Sequence, residues 1–241
     1  MRLILSLSML AALGFSAPSA APAIASGVPP ALADRQAESR PMQALFGTRE
    51  TYSRDIAPFD KWTGMLTRFR QEADAGRRGC ASLAPGCEPA EWHDALEALR
   101  GLDLRDQLDR VNAAVNRHPY VGSQRNWGES NYWETPYEFL RKGGQCQDYA
   151  ITKYLMLRAA GIPAAQLRVL VLRDTKLGLD HAVAVAYVDG EPYVLDNQLG
   201  AVVRAASIRH YRPYYSINEE GWWLHTGPNA RYASAADATL R

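Results

Sequence analysis

The chain has 241 residues, with 27 lysines and arginines against 26 aspartates and glutamates. A hydrophobic share of 47% supplies one sizeable core or two small ones and excludes a disordered chain. The charges balance without clustering, so the electrostatic footprint of a nucleic-acid binder is missing.

Met1-Arg2 precedes an apolar run from Leu3 to Phe15, and small residues follow, with Ala-x-Ala sites at 21–23 and 23–25. This is a secretory signal pattern over residues 1–25, shorter than the ~20 apolar residues that span a bilayer. No later run in the sequence is long enough to cross a membrane, so the expectation is an exported protein, periplasmic or secreted. Export decides how the cysteines read. Cys80 and Cys87 lie in one Gly/Pro-containing loop and are expected to form a local disulfide. A zinc site there would need a second Cys/His pair close by. Cys146 is then left without a partner.

Residues 26–50, rich in proline and alanine and without a period, read as a linker or loosely attached arm, and 51–228 as the folded domain. Phe59, Trp62, Leu66 and Phe69 recur at helical spacing. Pro89 opens a second helix carrying Trp92, Leu96 and Leu99. A third carries Leu104, Leu108, Val111 and Val115 and ends before Pro119. Residues 120–134 read as an aromatic loop. Thr135-Pro136-Tyr137-Glu138 has the form of a capping box, and the short helix it starts stops at Gly143-Gly144. A longer helix runs from Gln145 to Ala160, ended by Gly161 and Pro163. From there the period becomes that of strands: Leu167–Leu172, His181–Val188, a tight turn at Asp189-Gly190, Glu191–Gln198, and a further hairpin of Tyr214–Ile217 with Trp222–Thr226. The tail 229–241 is small and polar and reads as flexible. Helices first and antiparallel strands afterwards make the fold class α+β.

Cys146 follows Gly143-Gly144-Gln145 in the first turn of the long helix, where unpaired N–H groups and the positive helix end favour a thiolate. The glycines leave room for a substrate backbone, which makes Gly144 a candidate substrate contact, with Trp127 and Trp133 of the aromatic loop. A two-residue turn at Asp189-Gly190 sets Val188 against Glu191, which places Asp196 opposite Val183 on the face that also carries His181. An Asp there can hold one imidazole nitrogen and leave the other for Cys146. His93, His118, His210 and His225 read as structural, and Asp174 and Asp180 as poorer orienters than Asp196.

Gly-Gly-Gln-Cys146-Gln-Asp148-Tyr-Ala-Ile-Thr-Lys-Tyr, Asp180-His181-Ala-Val and Leu195-Asp196-Asn197 resemble the bacterial transglutaminase-like cysteine peptidases, as do Val111-Asn112 and Trp127 to Pro136. The resemblance implies a papain-like, transglutaminase-like α+β fold and a thiol protease working through a thioester acyl-enzyme. Cys146 would be nucleophile, His181 general base and acid, and Asp196 orienter. It further implies a protein substrate such as a large surface adhesin, hence a part in biofilm release, and an inner-membrane cyclic-di-GMP receptor as partner. A transglutaminase or amidase outcome of the same chemistry, or a non-catalytic binding module, are the alternatives. Family members carry acidic residues on both sides of the nucleophile and bind calcium there. Here Gln145 and Gln147 take those places and only Asp148 remains, a weak calcium candidate, so calcium is expected to be weak or absent and no cofactor is expected.

Overall fold

The structure is a computed structural model and describes residues 41–77 and 87–231. The expected signal peptide, Cys80 of the expected Cys80–Cys87 disulfide, and residues 232–241 of the expected tail lie outside the described residues. The described elements run β1 (Arg49–Ser53), α1 (Asp60–Arg77), α2 (Ala90–Glu97), α3 (Leu104–Val115), α4 (Ser123–Trp127), α5 (Pro136–Lys142), α6 (Cys146–Ala159), β2 (Leu167–Asp174), β3 (Leu179–Val188), β4 (Glu191–Leu195), β5 (Val203–Arg204), β6 (Tyr211–Ile217) and β7 (Trp222–Thr226). The α+β class is as expected.

The strands form one antiparallel sheet in the order β1-β7-β6-β2-β3-β4-β5. Alternation along β3 separates two cores. Ala182, Ala184 and Ala186 face the helical layer, while Val183, Val185 and Tyr187 face a smaller core closed by Leu45, Ala205, Ile208 and Tyr211. The helical layer is built from the stripes read in the sequence: Trp62, Met65 and Leu66 of α1, and Leu108, Val111 and Val115 of α3. At its centre α6 is buried continuously from Gln147 to Leu157, as befits a helix enclosed on all sides. The three alanines of β3 are small enough for α6 to lie close against that strand.

Two readings of the sequence need correction. Residues 41–50 are not a loose arm: Leu45 is fully buried, Gln43 N donates to Gly190 O (2.9 Å), and Arg49 of β1 pairs with Thr226. Their pattern was irregular because a single tight turn, with Phe46 at φ 54°, leads into an edge strand that buries little. The aromatic segment 120–134 also contains a short helix, α4, closed by Gly128 in the left-handed conformation. Of the tail, residue 231 is still attached, its N–H donating to Pro213 O (2.9 Å).

Candidate active site

Cys146 is the first residue of α6, so its N–H belongs to the group that no intrahelical carbonyl satisfies. The turn before it is held rigidly. Gly143, at φ 68°, passes so close to Pro119 that an added Cβ would lie 2.2 Å from the Pro119 carbonyl oxygen. Asp148 accepts the Gln145 N–H (2.8 Å) on one carboxylate oxygen and the Glu134 N–H (2.9 Å) on the other. It thereby ties the turn before Cys146 to the entry of α5. Gln145 points its amide oxygen at the start of α4, accepting from Ser123 N (3.1 Å) and Ser123 Oγ (2.6 Å). Cys146 is a free cysteine and half-buried.

The β3–β4 hairpin supplies the other two side chains. Its register is the one the two-residue turn demands, Val188 against Glu191 and Ala184 against Leu195. One residue beyond β4, Asp196 is fully buried, and its Oδ1 accepts from His181 Nε2 (2.9 Å). The same oxygen accepts from Gln198 N (2.9 Å), and Oδ2 accepts from the Tyr211 hydroxyl. Asn116, at the C-cap of α3, fixes the Asp196 backbone by donating to its carbonyl (2.9 Å) and to Leu199 O (3.2 Å). Burial alone would raise the Asp196 carboxyl. The His181, Tyr211 and Gln198 donors outweigh it and hold the group below the ordinary carboxylate range.

His181 is 2% exposed. Burial alone would depress its imidazole, yet the hydrogen bond to Asp196 and then the contact with Cys146 push it up to about 9. With Nε2 given to Asp196, the nitrogen left over is Nδ1, which has no hydrogen-bond partner among the described residues. The imidazole thus stands between a carboxylate and a sulfur, the arrangement in which a ring can hold the proton of a thiol.

Other candidates separate. Trp127 is half-buried, stacked on Tyr132 (4.7 Å between centroids), with Lys142 Nζ over its face (3.7 Å) and its indole N–H on Glu134 Oε1 (2.6 Å). Trp133 is 4% exposed within the main core, so it does not present its ring to a ligand. Gly144 is buried, and the place of its missing Cβ is taken from within by Asp148 Oδ2 (2.7 Å) and Glu134 Oε2 (3.0 Å). It is glycine for internal packing, not for approach of a substrate. Gly144→Ala should therefore lose about 1–3 kcal/mol of stability by overpacking, read from denaturant unfolding, and slow any reaction of Cys146. Asp180 is bound by Arg173 (3.1 Å) and Tyr214 (2.7 Å), and Asp174 by the N–H groups of its own turn, so neither reaches His181. His225 is buried between Thr48 Oγ1 (2.8 Å) and Ser216 Oγ (3.0 Å), and His118 sits on Glu91 (3.0 Å). His93 is exposed on α2 and His210 lies against the Tyr211 ring (4.7 Å).

Sequence reasoning missed Tyr211, Ser123, Glu134 and Asn116. For Asn116 a signal existed: Asn112 and Asn116, four apart, interrupt the apolar stripe of α3. The partners Tyr211 and Ser123 come from distant segments that carry no local pattern.

The sequence matches the family model of the bacterial transglutaminase-like cysteine proteinases over residues 78–229. The chain belongs to that family. Among solved structures it is similar to LapG of Legionella pneumophila in its calcium-bound form, with 27% identity and a TM-score of 0.54 over 71% of this chain and 97% of that one. The EGTA-treated form of the same protein gives 27% identity and a TM-score of 0.51 over 71% of this chain and 87% of that one. No curated protein matches the sequence. The family and this likeness make the chain a cysteine peptidase of the transglutaminase-like kind, acting on protein, with the fold the sequence implied.

LapG of Legionella pneumophila has a calcium-bound form, and the oxygens around Cys146 decide whether this chain could hold the ion in the same way. Both oxygens of Asp148 already accept backbone N–H groups, and Gln145 Oε1 is occupied twice by Ser123. Gln147 Oε1 faces the Cys146 sulfur (3.6 Å). Glu134 Oε1 is taken by Trp127 and Asn126, leaving Oε2 as the one carboxylate oxygen here without a partner. Calcium needs about six to eight oxygens, several of them charged. The residues present do not fit the ion.

Proposed function

We propose that the chain is an exported cysteine endopeptidase in which Cys146, His181 and Asp196 act as nucleophile, general base and acid, and orienter. The observation that carries the reading is the buried imidazole held by Asp196 on one side and in contact with Cys146 on the other. The sulfur attacks the peptide carbonyl carbon, and the carbonyl oxygen takes the negative charge. The imidazolium gives its proton to the departing amine as the C–N bond breaks, leaving a thioester on Cys146. Water then attacks the thioester, giving a proton back to His181. The acid product leaves, and the sulfur and imidazole recover their starting state. Export, with surface adhesins as the substrate class, follows the leader-like start and the family resemblance. Among the described residues no helix is long and apolar enough to cross a membrane.

The test compares the surface proteome of a deletion strain complemented by wild type or by Cys146→Ala. Proteins shed only with the wild type are the substrates. Equal shedding by both would remove the proposal, and product joined to an amine in place of water would make the chain an acyl transferase.

We also infer that catalysis here does not require calcium. Dialysis against EGTA should leave the rate of Cys146 acylation within about twofold, and calorimetric titration should show no micromolar calcium binding. Binding that disappears in Asp148→Ala would contradict this.

A further inference from the structure

Acyl transfer at a sulfur needs hydrogen-bond donors aimed at the oxygen on which charge develops, and one donor, the Cys146 N–H, is already at the helix start. The segment that faces it is built for a second. Val121 N donates to Gly144 O (2.9 Å), and Tyr120 pairs with Gly144 in a parallel bridge. The close passage of Gly143 against Pro119 locks this segment from the other side. Tyr120 is thereby fixed beside the first turn of α6, its ring stacked over Tyr149 (6.3 Å, 18° between planes). Its hydroxyl feels the turn electrostatically: the Cys146 sulfur raises it, while the Gln145 side chain and the Cys146 N–H lower it. The residue is 59% exposed, so its side chain is open to solvent beside the first turn of α6. Partial burial, reinforced by the sulfur, raises the phenol above its ordinary range, so it keeps its proton and remains a donor.

We propose that the Tyr120 hydroxyl donates the second hydrogen bond to the oxyanion formed when Cys146 attacks a carbonyl, completing a hole whose other donor is the Cys146 N–H. The inference rests on the proposed function above. It assigns the hydroxyl a place in the reaction and the ring only a support.

Two reagents separate the possibilities because one passes through an oxyanion and the other does not. p-Nitrophenyl acetate acylates the thiol through a tetrahedral oxyanion, whereas iodoacetamide alkylates it by direct displacement. Tyr120→Phe should lower the acylation burst about 10²-fold, the usual effect of deleting one such donor, and leave the alkylation rate within twofold of wild type. Tyr120→Leu should lose no more than Tyr120→Phe. Acylation in Tyr120→Phe within threefold of wild type would overturn the proposal. So would an equal fall in both reactions, which would mark an effect on the sulfur itself, or a loss seen only in Tyr120→Leu, which would assign the role to the ring. Wild type and Cys146→Ala serve as the control on the underlying reading. If they show the same burst, Cys146 is not the nucleophile and both readings fall together.

Discussion

Asp196→Ala is expected to lower kcat/KM for peptide cleavage about 10⁴-fold, with Asp196→Asn costing only about 10²-fold. The difference follows from who else holds the carboxylate. Oδ1 accepts from both His181 and Gln198 N, whereas Oδ2 faces the Tyr211 hydroxyl, which can rotate and accept instead of donate. An Asn can therefore keep its oxygen on His181 and turn its amide towards Tyr211. The tautomer survives, and only the charge that stabilises the imidazolium is lost. Alanine removes charge, hydrogen bond and orientation at once. The pH profile reads the same contact. With His181 pushed up to about 9, the alkaline limb of kcat/KM should fall near pH 9 in the wild type. It should move to lower pH in both variants, because Asp196 is the main group raising the imidazole. Equal losses in Asn and Ala, with an unmoved alkaline limb, would show that Asp196 does not act through His181.

Lys153→Met is expected to raise stability by about 1–4 kcal/mol, the range seen when buried charge is replaced by apolar volume. Lys153 is fully buried on α6, two turns beyond Cys146, and its ammonium has no hydrogen-bond partner among the described residues. Burial draws it down from 10.5 to about 7, only partly opposed by Asp196. Asp196 has three other donors, so removing the lysine leaves no stranded charge. The sign of the pH dependence is fixed by linkage. Between pH 7 and 10.5 the unfolded chain binds a proton at this lysine that the folded chain does not, so wild-type stability gains from rising pH across that window. The advantage of Lys153→Met should be full below pH 7 and fade as pH approaches 10.5, measured by urea unfolding at several pH values. An advantage independent of pH, or a loss, would contradict the burial of an ammonium that makes no hydrogen bond among the described residues.

Much of this site was legible in the chain because its determinants are local. The capping box at Thr135 and Glu138 is present as read, with Glu138 N on Thr135 Oγ1 (3.2 Å) and Thr135 N on Glu138 Oε2 (2.7 Å). The two-residue turn at Asp189-Gly190 dictated the hairpin register, and register alone set His181 and Asp196 on one face. What stayed hidden depends on contacts between distant segments. Asp148 looked like a remnant metal ligand, whereas it is a bracket between the Cys146 turn and the α5 entry, a role visible only once Glu134 and Gln145 stand on either side of it. Trp133 looked like a surface aromatic because its segment is polar around it. Its ring goes inward while its carbonyl is held by Arg68 (2.6 Å), a residue 65 positions away. The order of strands β6 and β7 against β2 and β1 likewise follows from pairing across the whole domain, which no local period encodes.

The proposed triad depends on a proton carried by His181 for the sulfur of Cys146, and the rate of iodoacetamide alkylation against pH measures that directly without a known substrate. The wild type should retain most of its pH 8 rate at pH 6, and His181→Ala should lose it, following the ~8.5 titration of an ordinary thiol. A wild-type profile that already follows the ordinary thiol, unchanged by His181→Ala, would contradict the assignment.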